Sequence, residues 1–352
     1  MAWLAAQGLA PYAFSRLQQL DWLGQLPPAA HAALRTALGE STIGEALQHR
    51  EAVAVLAALA AAGVETVLLK GLALAHSVYP TPRCRPKGDL DLWIPPAQRA
   101  AAVAALQALG YRPHEKAHRP AALRQLTGGE QQMLGTQPGT GLVELQWPAI
   151  RGEWVRRTAA VDHAGLWARR VPLRLGGQPT AIMAPEDFLI HLCVHLAINH
   201  QFSAPWLRGL LDVHLLVQVH CLAWEPLVSR ARAWRLATVV WTVLDLARRL
   251  LGTAVPGQVL TALAPSPARR RALGRLTLDR ALLEMWPGGY RHRRFLIQTL
   301  LVDRPQDAAR LVGRALFPEA AWLQARYGAG SAGALWRARL EHPWRLLITA
   351  QA

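Results

Sequence analysis

The segment from Leu68 to Ile94, LLKGLALAHSVYPTPRCRPKGDLDLWI, constrains this chain more than any other. It sets two carboxylates, Asp89 and Asp91, among apolar neighbours in a run whose composition predicts a β-strand. Alternate side chains of a strand share a face, so the two aspartates point together while Leu90 and Leu92 turn into the protein. Like charges held side by side repel, and the fold must supply a compensating cation.

The flanking pattern predicts how that strand is embedded. Val64–Leu69 (VETVLL) has strand character and delivers Lys70 and Gly71 to the start of a helix over Gly71–Val78. Tyr79–Gly88 is a proline-punctuated loop, and Pro96–Leu109 an amphipathic helix opened by proline. A polar, glycine-rich connection over 127–141 leads to another strand, Leu142–Trp147, with Glu144 between Val143 and Leu145. Helical segments precede this region, split at Pro27 and Pro28, and from Pro185 onward the pattern is helical. The expected fold class is α+β: N-terminal helices over 1–60, a small mixed-sheet core over 61–180, and an all-helical C-terminal domain over 181–352.

These residue types suggest a chemistry. A helix start exposes unpaired N–H groups and positive dipole, which suits a phosphate, and glycine lets the backbone approach closely. Asp89 and Asp91 offer oxygen ligands for magnesium or manganese, and Glu144 is the candidate third acid. Two metals held this way activate an attacking hydroxyl and neutralise a triphosphate, which is nucleotidyl transfer. Each residue alone has a plainer reading. D-L-D occurs at loop edges, Lys-Gly marks a turn, Arg85 and Lys87 could simply offset the aspartates, and Glu144 could pair with a buried arginine.

Order and spacing add a resemblance. Leu68-Leu69-Lys70-Gly71, Tyr79-Pro80 and Arg85-Pro86-Lys87-Gly88-Asp89-Leu90-Asp91-Leu92-Trp93 resemble the motif of the uncharacterised nucleotidyltransferase family within the DNA polymerase beta-like superfamily. The likeness extends over most of the chain. It implies a nucleotidyltransferase core with a helical companion domain, a divalent metal at Asp89, Asp91 and Glu144, and a nucleoside triphosphate held by Lys70, Gly71, Arg85, Lys87 and Gly88. Two departures stand out. The superfamily commonly has Gly-Ser where this chain has Lys70-Gly71, and family members often have histidine where this chain has Gln146.

A second group lies in APEDFLIHLCVHLAINH, where Asp187, His191 and His195 recur every fourth residue and would line one helix face. Histidines four apart can bind zinc, but Leu192 replaces the glutamate of an H-E-x-x-H motif, so a polar face lining the cleft is the preferred reading. Arg208 and Asp212, also four apart, read as an intrahelical or interdomain ion pair.

Charge bears on partners. The net charge of +16 invites a nucleic-acid reading, yet the arginines are spread through helical segments with no aromatic-interleaved stripe. A solvated face or an anionic-substrate groove is preferred. Only three lysines occur, Lys70, Lys87 and Lys116, and two of them flank the aspartate pair. No apolar run convinces as a membrane span, and the first residues lack a secretory signal's basic start and long apolar core. With three cysteines in the chain, a cytoplasmic location is expected. The expected partners are a nucleoside triphosphate and an unidentified acceptor such as a small peptide or sugar. The alternative is a non-catalytic nucleotide- or nucleic-acid-binding protein on a degenerate version of the fold.

Overall fold

The computed structural model describes residues 1–114, 129–203, 205–278 and 291–348. Lys116 and the beginning of the connection over 127–141 lie outside them.

Three helices lead in: α1 (Ala2–Ala6), α2 (Ala10–Gln19) and α3 (Pro28–Ala61). The 34-residue α3 is rich in alanine, leucine and glutamate, good helix formers, and opens on proline, whose missing N–H costs nothing in a first turn. Its C-terminal half buries Ala52, Val55, Leu56 and Leu59 among the residues of a sheet. Each such leucine contributes about 1.5–3 kcal/mol by leaving water.

The sheet has seven strands in the order β3-β4-β5-β2-β1-β7-β6. In chain order they and their helices are β1 (Val67–Leu68), α4 (Lys70–Ser77), β2 (Asp89–Trp93), α5 (Arg99–Ala108), β3 (Tyr111–Pro113), β4 (Glu130–Gly135), β5 (Leu142–Gln146), α6 (Glu153–Thr158), α7 (His163–Ala168), β6 (Val171–Leu175) and β7 (Gln178–Ile182). The sheet is mixed: β2 runs parallel to β5 and antiparallel to β1, while β1 is parallel to β7. The fold class is therefore α+β, as expected.

Three details differ from the sequence reading. The polar connection contains a strand, β4, whose Gln131, Gln132 and Met133 pair antiparallel with β5. A hairpin, β6–β7, turns through Gly176 and Gly177, both at positive φ, the conformation that two-residue hairpin turns require. The helix expected from Pro96 begins as a short 3-10 turn, with α5 proper starting at Arg99.

From Pro185 the chain is helical: α8 (Pro185–Val194) runs into a π-helical turn at His195–Asn199, followed by α9 (Trp206–Val219), α10 (Trp224–Ala233), α11 (Ala237–Leu251), α12 (Gly257–Leu263), α13 (Pro267–Thr277), α14 (Arg291–Leu300), α15 (Pro305–Leu316), α16 (Ala320–Tyr327) and α17 (Ala332–Ile348). Every residue from Thr238 to Ala247 of α11 is buried, including Thr242, which donates to the Thr238 carbonyl, and Asp245, which pairs with Arg248 and Arg249. One buried apolar cluster runs without a break from Ala52 through the sheet to Val302. No helix among the described residues is long and apolar enough to cross a membrane.

Candidate active site

The register of the sheet brings the acids together. In the parallel β2–β5 pair Asp91 lies opposite Glu144, and in the antiparallel β4–β5 pair Glu144 lies opposite Gln132, so three side chains stand in one row. Asp89 sits two residues along β2 on the same face. Carboxylate oxygens of Asp89, Asp91 and Glu144 all lie within 4.8 Å of one another. Leu90 and Leu92, the alternate residues, are fully buried on the opposite face.

The compensating cation is Lys70. Its Nζ donates to Asp91 Oδ1 at 2.5 Å and lies 3.9 Å from Glu144 Oε2. The sheet places it there because β1 is the antiparallel neighbour of β2 and Lys70 begins two residues past Leu68. Lys70 takes a φ of +47°, a left-handed conformation that costs a non-glycine residue about 1–2 kcal/mol. Glycine is the relaxed residue for such a position; this chain accepts the strain and gains a buried ammonium.

Amides complete the cage. Gln146 Nε2 donates to Asp91 Oδ1 at 2.8 Å and reaches Glu144 Oε2 at 3.4 Å, so it bridges two of the acids. Gln132 donates to Glu144 Oε1, and Arg151 reaches Glu144 Oε2 at 3.5 Å while pairing closely with Glu130. These neighbours set the protonation of the two buried acids in opposite senses. Burial works against the charge on Glu144, but Lys70, Arg151 and the Gln132 amide outweigh it and hold its pKa below the ordinary value. Among the described residues Asp91 pairs with Lys70 alone: burial pushes its carboxyl up to about 7, Lys70 opposes this, and Asp89 and Glu144 reinforce it.

A stability prediction arises here. An acid whose folded pKa is raised is more protonated in the native than in the unfolded chain, so stability is fully present below the ordinary aspartate pKa and is lost as pH rises toward about 7. In chelator, Asp91→Asn is expected to be more stable than the parent by on the order of 1–3 kcal/mol at pH 8, with the difference fading toward pH 4. Melting curves across pH check this. A variant less stable at pH 8 would make Asp91 a net structural ion-pair partner of Lys70.

The remaining expected residues divide into two groups. Gly71, in the first turn of α4, packs so tightly that a Cβ there would lie 2.9 Å from an Arg85 guanidinium nitrogen and 3.5 Å from Lys87 Cγ. Gly88 sits exposed at the rim, and Lys87 is tied to Glu45 of α3. Arg85 is buried and donates twice to Asp212 of α9, at 2.8 and 2.7 Å, while Tyr79 Oη donates to Asp212 Oδ1 at 2.7 Å. Burial disfavours the Arg85 charge, yet the Asp212 carboxylate outweighs it and raises its pKa above the ordinary value.

Of the two readings of Arg208 and Asp212, an intrahelical or an interdomain ion pair, the intrahelical one is not what the structure shows. The planar guanidinium of Arg85 takes both Asp212 oxygens in a bidentate fork, and Arg208 instead donates to the Pro86 carbonyl at 3.1 Å. Asp187 is likewise engaged elsewhere, by Arg169 at 2.8 Å and Arg230 at 2.7 Å. His195 reaches the cleft, with His191 stacked behind it at a ring separation of 6.0 Å. Burial pushes His191 down to about 3, with the Lys70 charge adding to it, so it is neutral at physiological pH. The third histidine, His200, contacts His195 nitrogen to nitrogen at 2.9 Å and was not singled out in the sequence, where nothing marks it.

Above the acids lies a cleft of about 740 Å³. It is lined by Lys70, Asp89, Asp91 and Glu144 together with Arg208 and His200. The far side comes from the last helices, through Phe295, Arg314, Trp322 and His342. None of these roof residues carries a sequence signal, because each sits alone in an ordinary amphipathic helix.

Sequence comparison supplies the class to which this geometry belongs: the protein is a nucleotidyltransferase. The chain belongs to the family described as uncharacterised nucleotidyltransferase, whose model matches residues 1–252, a span containing every strand of the sheet and all the acids described above. Among solved structures it is similar to the antibiotic-resistance factor ANT(2'')-Ia, at 17% identity and a TM-score of 0.36, over 53% of this chain and 91% of that one. It is also similar to an antigenic nucleotidyltransferase-like protein from Paracoccidioides brasiliensis, at 16% identity and a TM-score of 0.38, over 62% of this chain and 94% of that one. None of the curated proteins matches the chain.

Proposed function

We propose that this nucleotidyltransferase moves a nucleoside monophosphate from a nucleoside triphosphate to a hydroxyl on a small acceptor, with magnesium or manganese held by Asp89, Asp91 and Glu144. The observation that carries this reading is the convergence of three carboxylates, their oxygens within 4.8 Å, beside a Lys-Gly helix start. The donor set fits the ion, since it consists of hard carboxylate oxygens, which magnesium prefers to nitrogen or sulfur. When bound, such an ion activates the attacking hydroxyl and neutralises charge on the triphosphate.

The protein's own groups do the rest. The Gly71 N–H at the start of α4 and the cations Lys70 and Arg208 around the cleft bind and orient the phosphates, and Lys87 joins them once it leaves Glu45. Arg85 holds the loop that carries Lys87 and Gly88 against α9 through Asp212, and so positions that loop. Gln146 and Gln132 orient the carboxylates. The space under Phe295 and Trp322 suits the acceptor, and a cleft of about 740 Å³ is of small-molecule size. This favours a small peptide or sugar over a nucleic acid duplex. All three cysteines are free, Cys84 and Cys193 buried and Cys221 exposed, which supports a cytoplasmic setting.

The test is the fate of label. Phosphorus label in the α-phosphate should appear in the acceptor, and γ-label should leave as pyrophosphate. Transfer of γ-label would make the protein a phosphotransferase of the kinase type.

A second prediction concerns Lys70, whose side chain is only 9% exposed between Asp91 and Glu144. A compact ammonium fits there and a planar guanidinium does not, so Lys70→Arg should weaken triphosphate binding about tenfold although the charge is kept. Unchanged KM and kcat in that variant would remove Lys70 from the nucleotide site.

A further inference from the structure

A second potential ligand cluster shares no residue with the three acids. Glu45 and His49 are four residues apart on α3 and therefore share a helix face, and His76 projects from the last turn of α4. One ligand atom from each lies within 4.8 Å of the other two. We infer that Glu45, His49 and His76 form a binding site for a divalent cation of the zinc class, separate from the acid triad and spanning α3 and α4.

Four observations carry this. The donor set, two imidazoles and a carboxylate, matches zinc, for which the oxygen-seeking magnesium is a poor competitor. His76 Nε2 is shielded from solvent and makes no hydrogen bond of acceptable geometry, although it stands 3.2 Å from Glu45 Oε1. Bonds of about 2.1 Å in a tetrahedral site put ligand atoms roughly 3.4 Å apart, so that pair already stands at the separation of two ligands of one ion. Finally, all three residues are half-buried, which protects the ligands and leaves a side open for water as a fourth ligand.

Glu45 is also prepared as a ligand. Lys87 binds Oε2, while His76 faces Oε1. An ion on Oε1 would thus share Glu45 with Lys87, which holds the other oxygen. Because Lys87 also lines the catalytic cleft, a cation drawing on the charge of Glu45 would loosen its hold on Lys87 and free it for phosphate. That last step rests on the proposed nucleotidyl transfer; the cation site does not.

The experiment titrates zinc into chelator-stripped, dialysed full-length protein by calorimetry in excess magnesium, and repeats the titration with cobalt while recording visible absorption. One equivalent should bind, with the intense bands of tetrahedral cobalt. His49→Ala and His76→Ala should each weaken binding by about a hundredfold or more, since even an outer-shell partner is worth 10–100-fold. Asp89→Asn should leave zinc binding unchanged. His49→Gln, the milder change, should fall between, and circular dichroism should show all variants folded. Zinc binding that survives both alanine variants, or that disappears in Asp89→Asn, would overturn the site. Nucleotide affinity should rise on zinc addition in the parent and not in His76→Gln. Zinc bound at these residues without that rise would overturn the link to Lys87 alone.

Discussion

Asp89→Asn is expected to lower transfer of α-phosphate label to the acceptor by at least about a hundredfold, the loss that follows removal of a major electrostatic group from a transition state. The loss should fall on kcat rather than on KM for the acceptor, because the proposed reaction places Asp89 at the reacting phosphate. Its surroundings make this a clean test. Asp89 is the only partly exposed member of the three acids, and its backbone carbonyl, which accepts from Gln48 Nε2 at 2.8 Å, is untouched by the change. Melting temperature should therefore hardly move. Full activity in Asp89→Asn would falsify the assignment of the catalytic acids.

The largest stability effect is expected at Asp212. Asp212→Ala would strand the Arg85 charge and the Tyr79 hydroxyl in a site where Arg85 is 7% and Asp212 2% exposed. Breaking a buried pair by removing one partner costs about 3–5 kcal/mol, because the other charge stays behind without compensation. Replacing both partners, as Arg85→Met with Asp212→Leu, should recover much of the loss, since apolar groups of similar volume can substitute for a buried pair. Denaturant unfolding of the two variants reads this directly. A cost below about 1 kcal/mol for Asp212→Ala would show that water reaches Arg85 and that the pair does not bolt the motif loop to α9.

Some of what the sequence reading missed was legible. Gly176-Gly177 between the runs VPLRL and QPTAI is a hairpin signal, and both residues do take positive φ. Pro172 and Pro179, one in each run, dilute the strand pattern. Strand β4 was not legible in the same way. EQQMLG has neither β-branched residues nor alternation, and it is a strand because β5 offers it a ladder, not because of its own propensity. The split of the N-terminal helices at Pro27 and Pro28 and the helical run after Pro185 could be read locally, since proline and helical periodicity act over a few residues.

The sequence by itself determined what depends on near neighbours along the chain. Asp89 and Asp91 share a face because a strand repeats every two residues, and Lys70-Gly71 opens a helix because an extended run ends just before it. Only the tertiary structure decided which groups meet across the fold. Asp91 stands beside Glu144 because β2 and β5 are parallel neighbours, a pairing that joins residues far apart in sequence and that no local pattern encodes. In the same way Arg85 found Asp212 rather than a phosphate, Lys87 found Glu45, and Lys70 became the cation between two buried acids. A buried charge takes the partner that offers the best geometry in three dimensions, because leaving it unpaired away from water costs several kcal/mol, and that choice is made by packing and not by spacing.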